Sequence, residues 1–306
     1  MDPVVRFAFP RGFRQAYWRV PSQRDGVAVP MVCVHGWPET KRLYAKVIEP
    51  LAAAGFDVIV PDLRGFGDSE VAPDGFSDIV SHARDLYALV HDHLGIERVV
   101  LMGGDLGGPT IQEIALRWPE WVDRMVLFNS PLPFDKAQMA GLRTRAPKET
   151  LDYYVRQGTD ADGLMRELDT VEKRRDYVAQ FYTHRNWAHP GAFDPGEVTY
   201  HCEPFGDAEK MRASFANYES VFSEAKRVER PRMARNPDTP ILVYFGTSDA
   251  VMPPDFDMMA RMVFDRCVGP YRLENCGHFV PWEAPEALVA GTTDFCRDLL
   301  ESTRST

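Results

Sequence analysis

The stretch that most constrains this chain is Gly103-Gly104-Asp105-Leu106-Gly107-Gly108. It follows the apolar run 99–102 and precedes an amphipathic segment over 109–118, which predicts a strand, a sharp turn and a helix. Glycines on both sides remove Cβ atoms for which so tight a turn has no room, and the residue at the apex sits in strained backbone geometry. That residue is an aspartate. A carboxylate is ionised at neutral pH without a base to deprotonate it. It can therefore attack carbon directly, leaving an ester that a second step has to hydrolyse.

The surrounding pattern supplies a frame for such a turn. Strand candidates fall at 31–34, 58–60, 99–102, 125–128 and 241–245, with helix candidates at about 43–54, 79–94 and 109–118. Continuous Val/Ile/Leu runs alternating with helices indicate a mostly parallel sheet covered on both faces. The rhythm stops after Pro131-Leu132-Pro133. From there to about Asn236 the chain shows helical patterning, many charges and aromatics, and no convincing buried strand; the strand–helix rhythm resumes at Thr239. The simplest account is one α/β core, residues 1–133 and 235–306, interrupted by an inserted helical cap, residues 134–234. A last helix is expected over about 285–300. There is no internal repeat, and only the tail 301–306 is of low complexity.

Composition removes several function classes. A net charge of −10 argues against a nucleic-acid or anionic-membrane surface. No apolar run approaches the ~18 residues of a membrane span, and Met1-Asp2-Pro3 lacks the layout of a signal peptide. Five cysteines (Cys33, Cys202, Cys267, Cys276, Cys296) are scattered, odd in number and without CxxC spacing. They read as free thiols in a reducing cytoplasm, neither a disulfide framework nor a zinc site.

Other segments carry chemistry once set beside Asp105. His35-Gly36-Trp37-Pro38-Glu39 follows the first strong strand; alone it is either a loop that aims the Trp37 amide at a developing oxyanion or an ordinary strand-end turn, with Trp37–Pro38 a candidate cis peptide. The strand at 241–245 runs into Gly246-Thr247-Ser248-Asp249, where Asp249 is either a triad acid or a helix cap before Pro253-Pro254. Later, Glu274-Asn275-Cys276-Gly277-His278-Phe279 precedes the final helix. The chain order is nucleophile, acid, histidine, as in the triad of α/β-hydrolases.

Together these residues resemble the epoxide hydrolases of the α/β-hydrolase family, over essentially the whole chain. The segment Asp62-Leu63-Arg64-Gly65-Phe66-Gly67-Asp68-Ser69 is like the family's loop after an early strand and reads as structural. The resemblance implies an α/β-hydrolase fold with Asp105 as nucleophile, His278 as base and Asp249 orienting it. It also implies an oxyanion hole made by the Trp37 and Leu106 amides, within a motif of His35, Gly36 and Pro38. Two cap tyrosines would hold the epoxide oxygen. Leu151-Asp152-Tyr153-Tyr154 is similar to the segment carrying the first, with Tyr153 the choice and Tyr154 its neighbour; Phe215-Ala216-Asn217-Tyr218-Glu219 resembles the segment carrying the second, with Tyr218 the choice. Tyr182 and Tyr200 stand as substitutes, and the polar-aromatic segment Phe181 to Trp187 has no assigned role. No metal or organic cofactor is implied. The expected substrates are a small apolar epoxide and water, the expected location cytoplasmic, and dimerisation through the cap or an edge helix is left open.

The nearest rival is a haloalkane-type dehalogenase using the same Asp–His–acid apparatus. Haloalkane dehalogenases typically place a halide-binding tryptophan directly after the nucleophile and fluoroacetate dehalogenases an arginine, whereas this chain has Leu106. Many epoxide hydrolases also carry tryptophan there, so Leu106 departs from both patterns. Asn129 is a candidate halide ligand or an ordinary loop residue. A third reading is a ligand-binding homologue without turnover, against which stands the complete Asp105, Asp249 and His278 set. A serine esterase is disfavoured because no serine occupies the turn. Activity is expected to fall at acid pH as His278 protonates.

Overall fold

The computed structural model describes residues 2–146 and 151–302. Its frame is an eight-stranded sheet in the order β1-β2-β4-β3-β5-β6-β7-β8. The strands are β1 (Arg6–Ala8), β2 (Gln15–Val20), β3 (Val29–Val34), β4 (Phe56–Pro61), β5 (Val99–Gly104), β6 (Val122–Phe128), β7 (Ile241–Gly246) and β8 (Cys267–Leu273). β1 and β2 are antiparallel to their neighbours, and β3 to β8 run parallel. The fold is that of the α/β-hydrolases.

The central strands are buried along their whole length, as continuous apolar runs require in a parallel sheet. Each fully buried Leu or Met there, such as Leu101 and Met102, contributes roughly 1.5–3 kcal/mol relative to exposure. Helix α1 (Ile48–Ala54) packs on β4, while α2 (Ile79–Tyr87) packs against α3 (Gly107–Arg117), itself seated on β5. The predicted helix 79–94 changes to a wider π-helical turn over Ala88–His93. The predicted helix 43–54 divides into a 3-10 turn, Lys41–Tyr44, and α1. Three strands went unseen in the sequence: β1, β2 and the edge strand β8, whose residues are mostly half-exposed or exposed.

Between β6 and β7 the chain forms helices α4 (Asp152–Thr159), α5 (Ala161–Glu167), α6 (Val171–Thr183), α7 (Pro195–Cys202) and α8 (Ala208–Phe222). α7 opens with a capping box, Asp194 and Glu197 exchanging backbone and side-chain bonds. α8 packs against α4 and α5. After β7 come α9 (Phe256–Val263), the short α10 (Val280–Glu283), α11 (Pro285–Phe295) and α12 (Arg297–Ser302). Of the tail, 303–306 lies outside the described residues. No helix among them is long and apolar enough to cross a membrane.

Candidate active site

The carboxyl ends of four parallel strands converge on one point. Beyond β5, Asp105 adopts φ +42°, a left-handed conformation uncommon for a residue with a Cβ. The turn is held by Asp105 N–H donating to the Asn129 carbonyl (2.9 Å) and Gly108 N–H donating to the Asp105 carbonyl (3.1 Å). A Cβ on Gly107 would lie 2.1 Å from the Val34 carbonyl oxygen, so only glycine lets the end of β3 approach this closely. The Asp105 side chain is presented between two partners. Its Oδ1 accepts from Trp37 N–H at 2.7 Å, and its Oδ2 lies 3.3 Å from His278 Nε2. Leu106 immediately precedes α3, at the end of the helix dipole that favours negative charge, although its amide makes no hydrogen bond to the carboxylate here.

His278 is fully buried, and its Nδ1 lies 2.7 Å from Asp249 Oδ2. Asp249 Oδ1 accepts from Val251 N–H at 2.8 Å, so this carboxylate caps a turn and not a helix; α9 starts only at Phe256. Burial opposes charge on His278, but the flanking Asp249 and Asp105 outweigh it and hold the imidazole pKa well above its ordinary value.

His35 does a different job. Its Nε2 accepts from Leu63 N–H at 3.0 Å and its Nδ1 faces the Gly36 carbonyl at 2.9 Å, which assigns the proton to Nδ1. Burial lowers its pKa to about 4, so it is a neutral bracket between the Gly36 loop and the loop after β4. In that second loop Arg64 is buried against Asp85 and bonded to Asp74, and Asp62 is bonded to Lys41. The Trp37–Pro38 peptide is cis.

The Trp37 indole, fully buried, enters the inserted helices and donates to Ser214 Oγ on α8 at 3.1 Å. Tyr153 of α4 stacks on it (centroids 5.7 Å, 5° between planes) and Tyr218 of α8 meets it edge-on at 5.7 Å. The Tyr153 and Tyr218 rings lie 5.8 Å apart. Burial is the main reason both phenols are pushed well above their usual pKa, with the Asp105 charge acting in the same direction. Both therefore stay protonated donors at neutral pH. The alternatives are engaged elsewhere. Tyr182 donates to the Pro38 carbonyl and Tyr200 to Asp2, while Tyr154 is half-buried and lines an apolar recess with Leu132, Met252 and Met259. Of the unassigned segment, Trp187 packs on His278 at 4.6 Å and Phe181 on Trp37 at 4.8 Å.

A family model described as the alpha/beta hydrolase fold matches residues 29–285. The chain belongs to that family. Over 278 residues this hydrolase is 27% identical to a soluble epoxide hydrolase of Corynebacterium sp. (strain C12), covering 89% of this chain and 91% of the relative. It is 36% identical to haloalkane dehalogenase 2 of Mycobacterium bovis over 130 residues, covering 42% of this chain and 44% of that one. Among solved structures, the epoxide hydrolase CorEH without ligand superposes with a TM-score of 0.81 at 23% identity, covering 97% of this chain and all (100%) of the other.

The structure thus brings Asp105, Trp37, His278 and Asp249 together and packs the rings of Tyr153 and Tyr218 against the Trp37 indole. Sequence reasoning missed two partners of this hydrolase's site, Glu39 and Glu283, and offered for a third, Asn129, only the roles of halide ligand or ordinary loop residue. Asn129, φ +31°, directs its amide at Asp249 Oδ2 (2.8 Å) and exchanges hydrogen bonds with Gly246, so its side chain is committed to protein and not offered to a halide. Glu39, buried behind Gly36, accepts from Gly36 N–H, while its Oε1 meets no donor among the described residues. Glu283 gathers the amides around His278. Neither Glu39 nor Glu283 carried a signal of its own in the sequence. Among the described residues no cluster of three or more His, Cys, Asp or Glu side chains is arranged to hold a metal ion.

Proposed function

We propose that this hydrolase converts epoxides to vicinal diols through a covalent ester on Asp105, with residues 134–234 serving as its cap. The observation that carries the reading is the two-sided seating of the Asp105 carboxylate. One oxygen lies on the Trp37 amide, and the other, facing His278, is left for carbon. In the first half-reaction Asp105 Oδ2 bonds to a ring carbon as the carbon–oxygen bond of the epoxide breaks. Tyr153 and Tyr218 hold the departing oxygen, and one of them gives it a proton. Esterification removes the Asp105 charge, which takes away one of the two influences that keep His278 protonated, and the imidazolium releases to solvent a proton that it takes back once the diol has left and the Asp105 carboxylate is restored.

His278, now able to act as base and oriented by Asp249, takes a proton from water as the water oxygen bonds to the Asp105 carboxyl carbon. The Trp37 amide, with that of Leu106 as second donor, stabilises the oxyanion. Collapse breaks the ester bond. The proton held by His278 goes to the leaving oxygen, the second water proton to the tyrosinate, and the diol departs. The aromatic wall of Trp37, Phe181, Trp187 and Phe215 excludes bulk water and favours small apolar substituents.

Intact-protein mass spectrometry of His278→Ala tests this. After incubation with styrene oxide the protein gains the mass of the whole epoxide, and Asp105→Asn does not. The stretch of 36% identity to a haloalkane dehalogenase favours one alternative. If haloalkanes add only their alkyl group, with halide released, and epoxides add nothing, the enzyme is a dehalogenase.

A further inference from the structure

The base sits on a loop whose backbone is fastened to a single carboxylate. Glu283, the last residue of the four-residue α10, projects back toward it. Its Oε2 accepts from Gly277 N–H at 2.8 Å and its Oε1 from Phe279 N–H at 2.9 Å, the amides on either side of His278. The same Oε2 also accepts, at 2.8 Å, from the amide of His189, which belongs to the inserted layer. Among the described residues no Lys, Arg or His forms an ion pair with Glu283. Its charge is met by backbone dipoles alone, an arrangement whose hydrogen bonds are shorter and stronger than neutral ones.

The inserted layer makes further contact at this point. His278 N–H donates to the Trp187 carbonyl at 2.8 Å, and Ala250 N–H, next to Asp249, donates to the Asn186 carbonyl at 2.8 Å. His189 Nδ1 lies 2.9 Å from Ser248 Oγ. The approach is close enough that a Cβ on Gly277 would fall 2.2 Å from the Trp187 carbonyl oxygen and 2.7 Å from the His189 nitrogen. Residues 186–189 therefore lie directly on the loops of both the base and the acid.

We propose that Glu283 is a positioning residue that sets the alignment of His278 and makes that alignment depend on the seating of residues 187–189. The proposal rests on the two-step reading above, in which His278 acts on the ester. Asp105 attacks carbon without a base, so loosening the His278 loop slows hydrolysis of the ester while leaving its formation intact. A residue that merely stabilised the fold would slow both steps together.

The experiment is single-turnover reaction with styrene oxide, following alkylation and ester breakdown separately by quench and intact mass. In Glu283→Gln an NH₂ group replaces one acceptor oxygen and faces the backbone donors. Ester breakdown falls tenfold or more, alkylation stays within twofold, and the ester accumulates during turnover. Gly277→Ala, which crowds the Trp187 carbonyl from the other side, gives the same selective accumulation and serves as the independent variant if Glu283→Gln does not fold. Wild-type ester breakdown in both variants overturns the proposal, as does an equal slowing of both steps. If His278→Ala also accumulates no ester, it is the epoxide hydrolase reading that has failed.

Discussion

Asn129 Nδ2 lies 2.8 Å from Asp249 Oδ2, the same oxygen that His278 Nδ1 approaches at 2.7 Å. The backbone carbonyl of Asn129 meanwhile accepts from the Asp105 amide at 2.9 Å. One residue just past β6 thus holds Asp249 by its side chain and Asp105 by its main chain. Asn129→Gly keeps the positive φ accessible but removes the amide. A hydrogen bond to a charged group is worth about 1.5–3 kcal/mol, so ester breakdown falls roughly 10- to 100-fold. Single-turnover kinetics check this, and an unchanged rate would mean that Asp249 is held adequately by Val251 alone.

The proposed mechanism predicts that its two half-reactions differ in pH dependence. His278 between two carboxylates has a raised pKa in the resting enzyme, and loses one of those carboxylates when the ester forms. Breakdown needs the neutral imidazole, so its rate rises with pH until His278 of the ester has deprotonated, and falls on the acid side. Alkylation does not call on His278 as a base, so ester accumulates as the medium is acidified. Rapid-quench measurements from pH 5 to 9 read both rates; parallel profiles would contradict the assignment of His278.

Removing one phenol from the tyrosine pair slows ring opening. Tyr153→Phe and Tyr218→Phe each lower the alkylation rate tenfold or more, the lower end of what a positioned proton donor contributes. The breakdown of ester once formed stays near wild type. Stopped-flow tryptophan fluorescence on an epoxide measures the first step directly. Loss confined to the second step would assign the tyrosines elsewhere.

Glu39 carries a stability signature. Burial, reinforced by the Asp105 charge, pushes its carboxyl up to about 8. An acid whose folded-state pKa is raised holds its proton in the folded protein while the unfolded chain has released its own. Its contribution is complete below the unfolded value of ~4.3 and is lost as pH rises through about 8. Glu39→Gln cannot ionise, so its melting temperature gains on wild type by several degrees between pH 5 and 9. A constant difference across that range would mean that Glu39 is already ionised in the fold.

The strand–turn–helix around Asp105 and the Gly277-His278 pair were legible because each is a short local pattern. The parallel strands β3 to β7 were legible from their continuous apolar runs, although each extends beyond the residues first assigned. β1 and β2 escaped because they belong to the antiparallel margin and lack such runs. β8 escaped because its sequence, CVGPYRL, carries Gly and Pro within a half-exposed edge. Asn129, Glu39 and Glu283 look like ordinary polar residues in the sequence, since the partners that give them meaning arrive from distant segments. The choice of Tyr153 over Tyr154 turns on which face of α4 meets Trp37, a matter of packing and not of local composition.

Trp37 combines two properties seldom found in one residue. Its main chain touches Asp105, while its indole is enclosed by Tyr153, Tyr177, Phe181, Phe215 and Tyr218 of the inserted helices and by Trp187 of the loop between α6 and α7. Any movement of those helices changes the surroundings of an intrinsic fluorophore at the reaction centre. The enzyme thus carries its own optical gauge, by which substrate entry and product release can be timed without attaching a dye.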